Sequence, residues 1–409
     1  MILSNGILPE IVSPAGNLEK LKFAVLYGAD AVYFGGEQFN LRFQADNFSR
    51  DDIIHALQFC RERGVKAVYL LNSFLHEKDI PAARRHIDDI KGFKFDAVVI
   101  SDPGMIALVK ESGMESKIHL STQMSTLNHM AVKFWTNSGV DRVILAREAG
   151  VDDIKLIREN SDAQIEVFVH GALCIAYSGR CLLSRYLSGR DANQGDCAQA
   201  CRWRYSLVEE NRPGDYLDIV EHASGTEILS SKDLCLIERL HEYITAGVDA
   251  VKIEGRMKSL YYAANTARIY KHALRLAGKE RFAEYLPFYK QELDLVSHRP
   301  YTDNIFDEFD KRGFTPVSYI NKAMFLGYNT MDSRQEEYAV IKTFNPIYRN
   351  EVIEAIFPIE NSIKDDQYTV KEIIDTNNMG VDMARPGFSY RIKFDKSLGD
   401  NAILRKRLL

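Results

Sequence analysis

The 409-residue sequence has no uninterrupted apolar stretch approaching the ~18 residues needed for a membrane-crossing helix, so no helical span is expected. Its first ten residues, Met1 to Glu10, show neither a basic n-region nor an apolar h-region, and Pro9 and Glu10 interrupt them. A secretory leader is therefore not expected, and a reducing cytoplasm is the expected setting. Familiar catalytic signatures are missing too. His76-Glu77 is followed by Lys78-Asp79-Ile80 and so does not complete H-E-x-x-H; neither a G-x-S-x-G elbow nor a P-loop is present. No G-x-G-x-x-G follows the first expected strand, which argues against a dinucleotide-binding open sheet. A hydrolytic triad assembled from distant serines and histidines stays open. Positive charge is also in short supply: the formal net charge is −5, so any contact with RNA must use a local patch.

Cysteine is scarce except in one window. Cys174, Cys181, Cys197 and Cys201 follow one another as C-x6-C-x15-C-x3-C, and only Cys60 and Cys235 lie elsewhere. In a reducing compartment, clustered thiols point to metal binding or redox chemistry before disulfides. Only Cys197 to Cys201 has the short spacing of a zinc knuckle, and the wider gaps also suit four thiolates around an iron–sulfur cluster. Spacing leaves zinc and iron–sulfur both open. Between Gly171 and Tyr205 stand Arg180, Arg185, Arg190, Arg202 and Arg204 against only Asp191 and Asp196, interleaved with Tyr177, Tyr186, Trp203 and Tyr205. Guanidinium groups and aromatic faces are what phosphates and bases require. The same arginines could instead pair with acids or balance an anionic cluster.

The first two-thirds of the chain repeats one unit: a short apolar run, a glycine or polar loop, then an amphipathic helix. Expected strands are Glu10–Ser13, Ala31–Phe34, Ala67–Leu71, Ala97–Ile100, Ile118–Ser121, Arg142–Leu145, Ile165–Val169 and Ala250–Ile253. Eight strands with intervening helices predict an α/β fold with an N-terminal (β/α)8 TIM-like barrel. Glu227–Leu229 is an additional run that could displace one of the eight, and a doubly wound sheet is the alternative. In a barrel, chemistry belongs at the C-terminal strand ends. There, Ser13, Ser73 and Asp102 read as helix caps. Gln123, Arg147, Lys232 and Arg256 do not. Lys252 and Glu254, two apart on a strand, share a face and are expected to form an ion pair near the mouth.

Beyond the helix expected at Thr266–Ala277 the pattern changes. Residues 1–278 are assigned to the barrel, with a cysteine-rich insertion at 171–225, and 279–312 to a helical connector. Residues 313–409 form a β-rich domain, a small barrel or sandwich, from runs at Val317–Ile320, Tyr338–Thr343, Val352–Phe357, Tyr368–Ile374 and Ser389–Phe394. The basic run Arg405-Lys406-Arg407 reads as a solvated tail or an RNA contact.

The window from Glu166 to Ser184, EVFVHGALCIAYSGRCLLS, resembles the signature of peptidase family U32, the collagenase-like proteins. Further motifs agree in order: Ser13-Pro14-Ala15-Gly16-Asn17 with Gly28 to Tyr33, Asn193 to Cys197 with Cys201-Arg202-Trp203, Ser231 to Leu234, and Lys252 to Arg256. The resemblance spans nearly the whole chain and within the family is strongest to tRNA hydroxylation proteins. It implies oxygen-independent formation of 5-hydroxyuridine at the tRNA wobble position, with prephenate as hydroxyl donor and tRNA as partner. It also implies a [4Fe–4S] cluster on Cys174, Cys181, Cys197 and Cys201, zinc being the alternative. Cys201 is the ligand for which some relatives substitute a cysteine from elsewhere. On this reading Arg147, His170, Lys232 and Glu254 are the candidate catalytic groups, and Gln123, Arg180, Arg202, Trp203 and Arg256 the candidate substrate-binding ones. An electron donor or second subunit is a further possible partner. The competing readings are a U32-type peptidase with structural zinc and a non-catalytic RNA-binding module.

Overall fold

Strands buried on both faces read as continuous apolar runs, and that is why the barrel strands are visible as AVYF, AVVI or AVKI segments. In the computed structural model the described residues are 8–42, 46–174, 176–202, 220–222, 225–227, 232–303, 319–330, 337–359, 363 and 366–408. The eight expected strands are all present: β1 (Glu10–Pro14), β2 (Ala31–Phe34), β3 (Lys66–Leu71), β4 (Ala97–Ile100), β5 (Lys117–Leu120), β6 (Arg142–Ile144), β7 (Gln164–Ala172) and β8 (Ala250–Ile253). They pair in parallel in chain order, and β8 closes the ring between β7 and β1. The extra run at Glu227 does not enter the ring. Gly225–Glu227 pairs with Val220–His222 in a separate two-stranded ribbon, and residues 228 and 229 lie outside the described residues.

The floor of the barrel carries an ionic network that local spacing does not reveal. Arg142 bridges Glu10 (2.9 Å) and Glu166 (3.2 Å), and Glu166 also accepts from Lys252 (2.7 Å). Lys252 therefore pairs with Glu166 on β7, and not with Glu254 as expected, because the ammonium reaches across to the neighbouring strand. Burial opposes ionisation of Glu166, but the charges of Lys252 and Arg142 overcome it and hold the carboxyl down at about 2. His119 stands beside them, and burial pushes its pKa down to about 3, leaving it neutral.

Of the expected caps, Asp102 accepts from the Met105 amide at 3.1 Å. Ser13 instead lies within β1, and the following helix, Leu18–Leu26, is capped by Asn17. Ser73 also precedes its turn too early, since the helical segment after β3 starts at Glu77.

The C-terminal part is a closed antiparallel barrel of six strands: β9 (Ala323–Asn329), β10 (Ala339–Thr343), β11 (Val352–Ile356), β12 (Asp366–Ile374), β13 (Ser389–Phe394) and β14 (Ile403–Arg407). The run expected at Val317–Ile320 falls partly outside the described residues, and Ile320 makes only an isolated bridge to His298. Among the described residues of this part the first strand is β9. The basic run is likewise no tail. Arg405 is fully buried, donating to Glu292 (2.7 Å), to Glu354 (2.9 Å) and to the Tyr261 hydroxyl (2.7 Å). Glu292 also accepts from Arg268 at 2.7 Å, so two helices, Leu260–Leu276 and Arg281–Asp294, are tied to the last strand by one buried charge cluster. Tyr27 adds a second tie, donating to the carbonyls of Ile356 or Asn401.

Candidate active site

At the C-terminal mouth of the barrel lies a cavity of about 200 Å³. Tyr33 of β2, Leu70 of β3, Val99 of β4, Ile144 of β6, Phe168 of β7 and Lys252 of β8 contribute to its wall, and so do all four clustered cysteines. Cys174 is exposed, while Cys181, Cys197 and Cys201 are partly buried.

The cysteines reach the mouth because β7 turns sharply there. Gly171 has φ +107°, and a Cβ at that position would fall 2.3 Å from the Glu254 carbonyl oxygen, so only glycine fits. The loop that follows is held by its own polar groups. Glu148 accepts from the Ser178 amide (2.8 Å), and Asn193 exchanges hydrogen bonds with the Cys181 backbone (3.4 and 3.1 Å). Ser184 donates to the Arg190 carbonyl (2.8 Å) and accepts from the Ala198 amide (2.9 Å). Two ion pairs, Arg185–Asp191 (2.9 Å) and Arg190–Asp196 (2.6 Å), engage both acids of the segment. Gly195, at φ +96°, packs so closely that a Cβ would lie 2.5 Å from the Asn40 carbonyl oxygen.

Five of the polar residues expected from sequence meet the cavity or its rim. Gln123 is buried after β5; its Oε1 accepts from Ser101 (2.7 Å) and Ser121 (3.1 Å), while Nε2 has no partner among the described residues. Arg147, at the end of β6, lies over the Phe168 ring at 4.1 Å. Arg256 donates to Asn40 (3.1 Å) and Asn47 (2.7 Å), and its buried Nε is left unpartnered among the described residues. Burial and the neighbouring Arg42 push its pKa down to about 10. Glu254 faces Arg42 at 3.6 Å and accepts from the Tyr33 hydroxyl at 3.4 Å. Arg180 is exposed beside the mouth, its guanidinium 5.4 Å over Phe74 and 3.4 Å from the Met124 sulfur.

Two candidates do not line the cavity. His170 is buried among Tyr262, Tyr270 and Tyr301, at centroid distances of 5.8, 5.5 and 5.3 Å, and burial pushes its pKa down to about 3. Lys232 is half-buried, and its carbonyl accepts from the Leu173 amide at 3.4 Å. Trp203 and the side chain of Arg202 lie outside the described residues. Arg42 is a cavity residue that sequence reasoning missed, and its only local signal was a basic side chain in the loop after Gly35-Gly36.

As donors, four thiols on one cavity fit a soft metal centre, because thiolates select zinc or iron–sulfur clusters over hard cations. Among the described residues no three His, Cys, Asp or Glu side chains already converge on one point as a metal-binding group. The fit therefore lies in the donor set and its placement, with ligand convergence left to binding, which is the usual coupling of metal binding to loop folding.

The sequence profile of "Peptidase family U32" matches residues 16–313. The chain belongs to peptidase family U32. It is 34% identical over 415 residues to tRNA hydroxylation protein P1 of Bacillus subtilis, covering 97% of this chain and 94% of that one. It is 38% identical to the 23S rRNA 5-hydroxycytidine C2501 synthase of Escherichia coli, over 66% of this U32 chain and 40% of that protein. A protein named collagenase from Porphyromonas gingivalis is 34% identical over 73% of each chain.

Proposed function

We propose that this U32 protein is an RNA-modifying enzyme that hydroxylates uridine at the wobble position of tRNA, giving 5-hydroxyuridine without molecular oxygen. The observation that carries the reading is the cavity at the barrel mouth, whose lining brings four thiols together with Gln123, Arg147 and Arg256. Similarity supports RNA as the substrate: identity to the tRNA hydroxylation protein extends across almost the whole of both chains, whereas the match to the collagenase covers 73% of each. No residue set of the cavity supplies a serine, histidine and carboxylate in hydrogen-bonded series among the described residues, so the peptidase reading lacks a positive observation.

Cys174, Cys181, Cys197 and Cys201 would hold a [4Fe–4S] cluster. Bound there, it supplies one-electron chemistry at a potential set by hydrogen bonds to its sulfurs and by solvent exposure. The chain's own residues do the rest. Arg147, together with the unpartnered donors of Gln123 and Arg256, would bind the carboxylates of prephenate, the proposed hydroxyl donor, by charge-assisted hydrogen bonds. Glu254, set between Arg42 and the Tyr33 hydroxyl, is positioned to accept a proton at the cavity wall. A target base turned out of its stack would enter past the rim that carries Tyr177 and Arg180.

Nucleoside mass spectrometry of tRNA from a strain lacking this gene and every paralogue tests the assignment: 5-hydroxyuridine derivatives should disappear, and unchanged levels overturn it. Anaerobic purification with iron and sulfide analysis tests the cluster; colourless protein carrying one zinc and no iron would refute it.

A further inference from the structure

The short helix Leu183–Ser188 follows the cavity residue Cys181, and it and its N-cap residue Leu182 turn to solvent an apolar pair that the proposed chemistry does not use. Tyr186 is 86% exposed and Leu182 is 75% exposed. The Tyr186 amide donates to the Leu182 carbonyl at 2.9 Å, so the two side chains stand one helical turn apart on one face. On its other side the helix is fixed: Ser184 is buried and bonded to both Arg190 and Ala198. Tyr186 is therefore held outward on a supported element beside the cysteines. Isolated exposed apolar groups are ordinary, but a paired aromatic and aliphatic face at the rim of a site marks a contact surface.

Charge selects the partner. Asp191 and Asp196, the only acids between Gly171 and Arg202, are both engaged by arginines of the same segment. Arg185 keeps 60% of its side chain exposed while holding Asp191, and Arg180 has no carboxylate partner among the described residues. Arg185 puts a half-exposed cation on the helix that carries Tyr186, and Arg180 puts another just before Leu182 in the chain, over Phe74; an aromatic and apolar pair with cations nearby complements a nucleobase on its phosphodiester backbone better than a protein surface.

We infer that Tyr186 and Leu182 form a stacking platform for an unpaired RNA nucleotide next to the one that enters the cavity, with Arg180 and Arg185 on the adjacent phosphates. This rests on RNA as the substrate. Because stacking needs an open base face, the platform distinguishes a loop from a duplex.

The test measures binding of an anticodon stem-loop RNA, and of a blunt RNA duplex of equal length, to anaerobically purified holoprotein. Wild type is compared with Tyr186→Ala, Tyr186→Phe, Leu182→Ser and Arg180→Gln, with iron and sulfide content recorded for each. Tyr186→Ala should weaken loop binding about tenfold or more while leaving duplex binding and metal content unchanged. Tyr186→Phe should stay within about twofold because the ring is kept. Arg180→Gln should weaken both RNAs and lower the salt dependence by about one phosphate contact. If Tyr186→Ala binds the loop as wild type does, the platform is overturned and the RNA reading stands. If wild type binds neither RNA, the RNA reading itself fails and the platform with it. A self-association lost in Tyr186→Ala, with RNA affinity unchanged, would give the face to a second copy of the chain and also overturn the proposal.

Discussion

Glu166→Gln removes one carboxylate from the barrel floor and changes no volume, so its effect isolates the charge. Glu166 is 1% exposed and receives both Lys252 and Arg142. A carboxyl held at about 2 instead of the ordinary 4.5 corresponds to about 3 kcal/mol of folding free energy at neutral pH, at ~1.4 kcal/mol per tenfold change in proton affinity. Breaking a buried ion pair from one side typically costs ~3–5 kcal/mol, since the remaining charge is stranded. Both routes give a similar figure. The sign of the pH dependence follows from the depressed pKa. The stabilisation is complete above 4.5 and is lost as pH falls toward about 2. Urea unfolding of wild type and Glu166→Gln, run in parallel from pH 7 to pH 3, should show the variant about 3 kcal/mol less stable at neutral pH. More than half of the gap should close by about pH 3, because the carboxyl of the unfolded chain, at its ordinary 4.5, takes up its proton there while the folded one stays ionised. Replacing Glu166 and Lys252 together, Glu166→Leu with Lys252→Met, should recover part of the loss, because Arg142 loses Glu166 but keeps Glu10. A variant within about 1 kcal/mol of wild type at pH 7, or a gap that does not narrow with acid, would refute the argument.

Three further outcomes follow from the site. Serine at Cys174, Cys181, Cys197 or Cys201 should each reduce iron and sulfide content, whereas Cys60→Ser and Cys235→Ser should not; equal loss from all six would separate the metal from the cavity. Arg147→Ala should raise KM for the small-acid donor about tenfold or more with a smaller change in kcat, as expected for a lost charge-assisted hydrogen bond, and steady-state kinetics at varied donor concentration would show this. Gly195→Val should loosen the cysteine loop from Asn40 and lower stability by about 2 kcal/mol or more, while Gly64→Ala, at φ +65° with nothing within 4 Å, should cost only the backbone term of ~1 kcal/mol. Equal thermal shifts for the two glycine variants would count against the close contact.

How much of this was readable in the chain depends on how local each signal is. The eight barrel strands are legible because each is buried on both faces and bounded by polar or glycine residues. The cysteine cavity is legible because β7 delivers Gly171 and then Cys174 within three residues. Arg42 is not, since it comes to the same cavity from the loop after β2. Lys252 and Glu254 looked like a pair from adjacency, but the closest carboxylate belongs to β7. β9 escaped notice because AMFLGYN lacks alternation and holds Gly327, which lies against the Lys342 carbonyl of β10. Arg405 looked solvated because its partners, Glu292 and Glu354, stand 113 and 51 residues away.

That last contact has a consequence for the order in which the molecule can be made. Glu292 sits among the helices of the large barrel, yet Arg405 emerges from the ribosome only after the whole small barrel has been translated. Until then the large barrel opposes the buried carboxylate with Arg268 of its own helix pair. The nascent large barrel would remain unlatched at that helix pair, so the final strand completes a domain synthesised long before it.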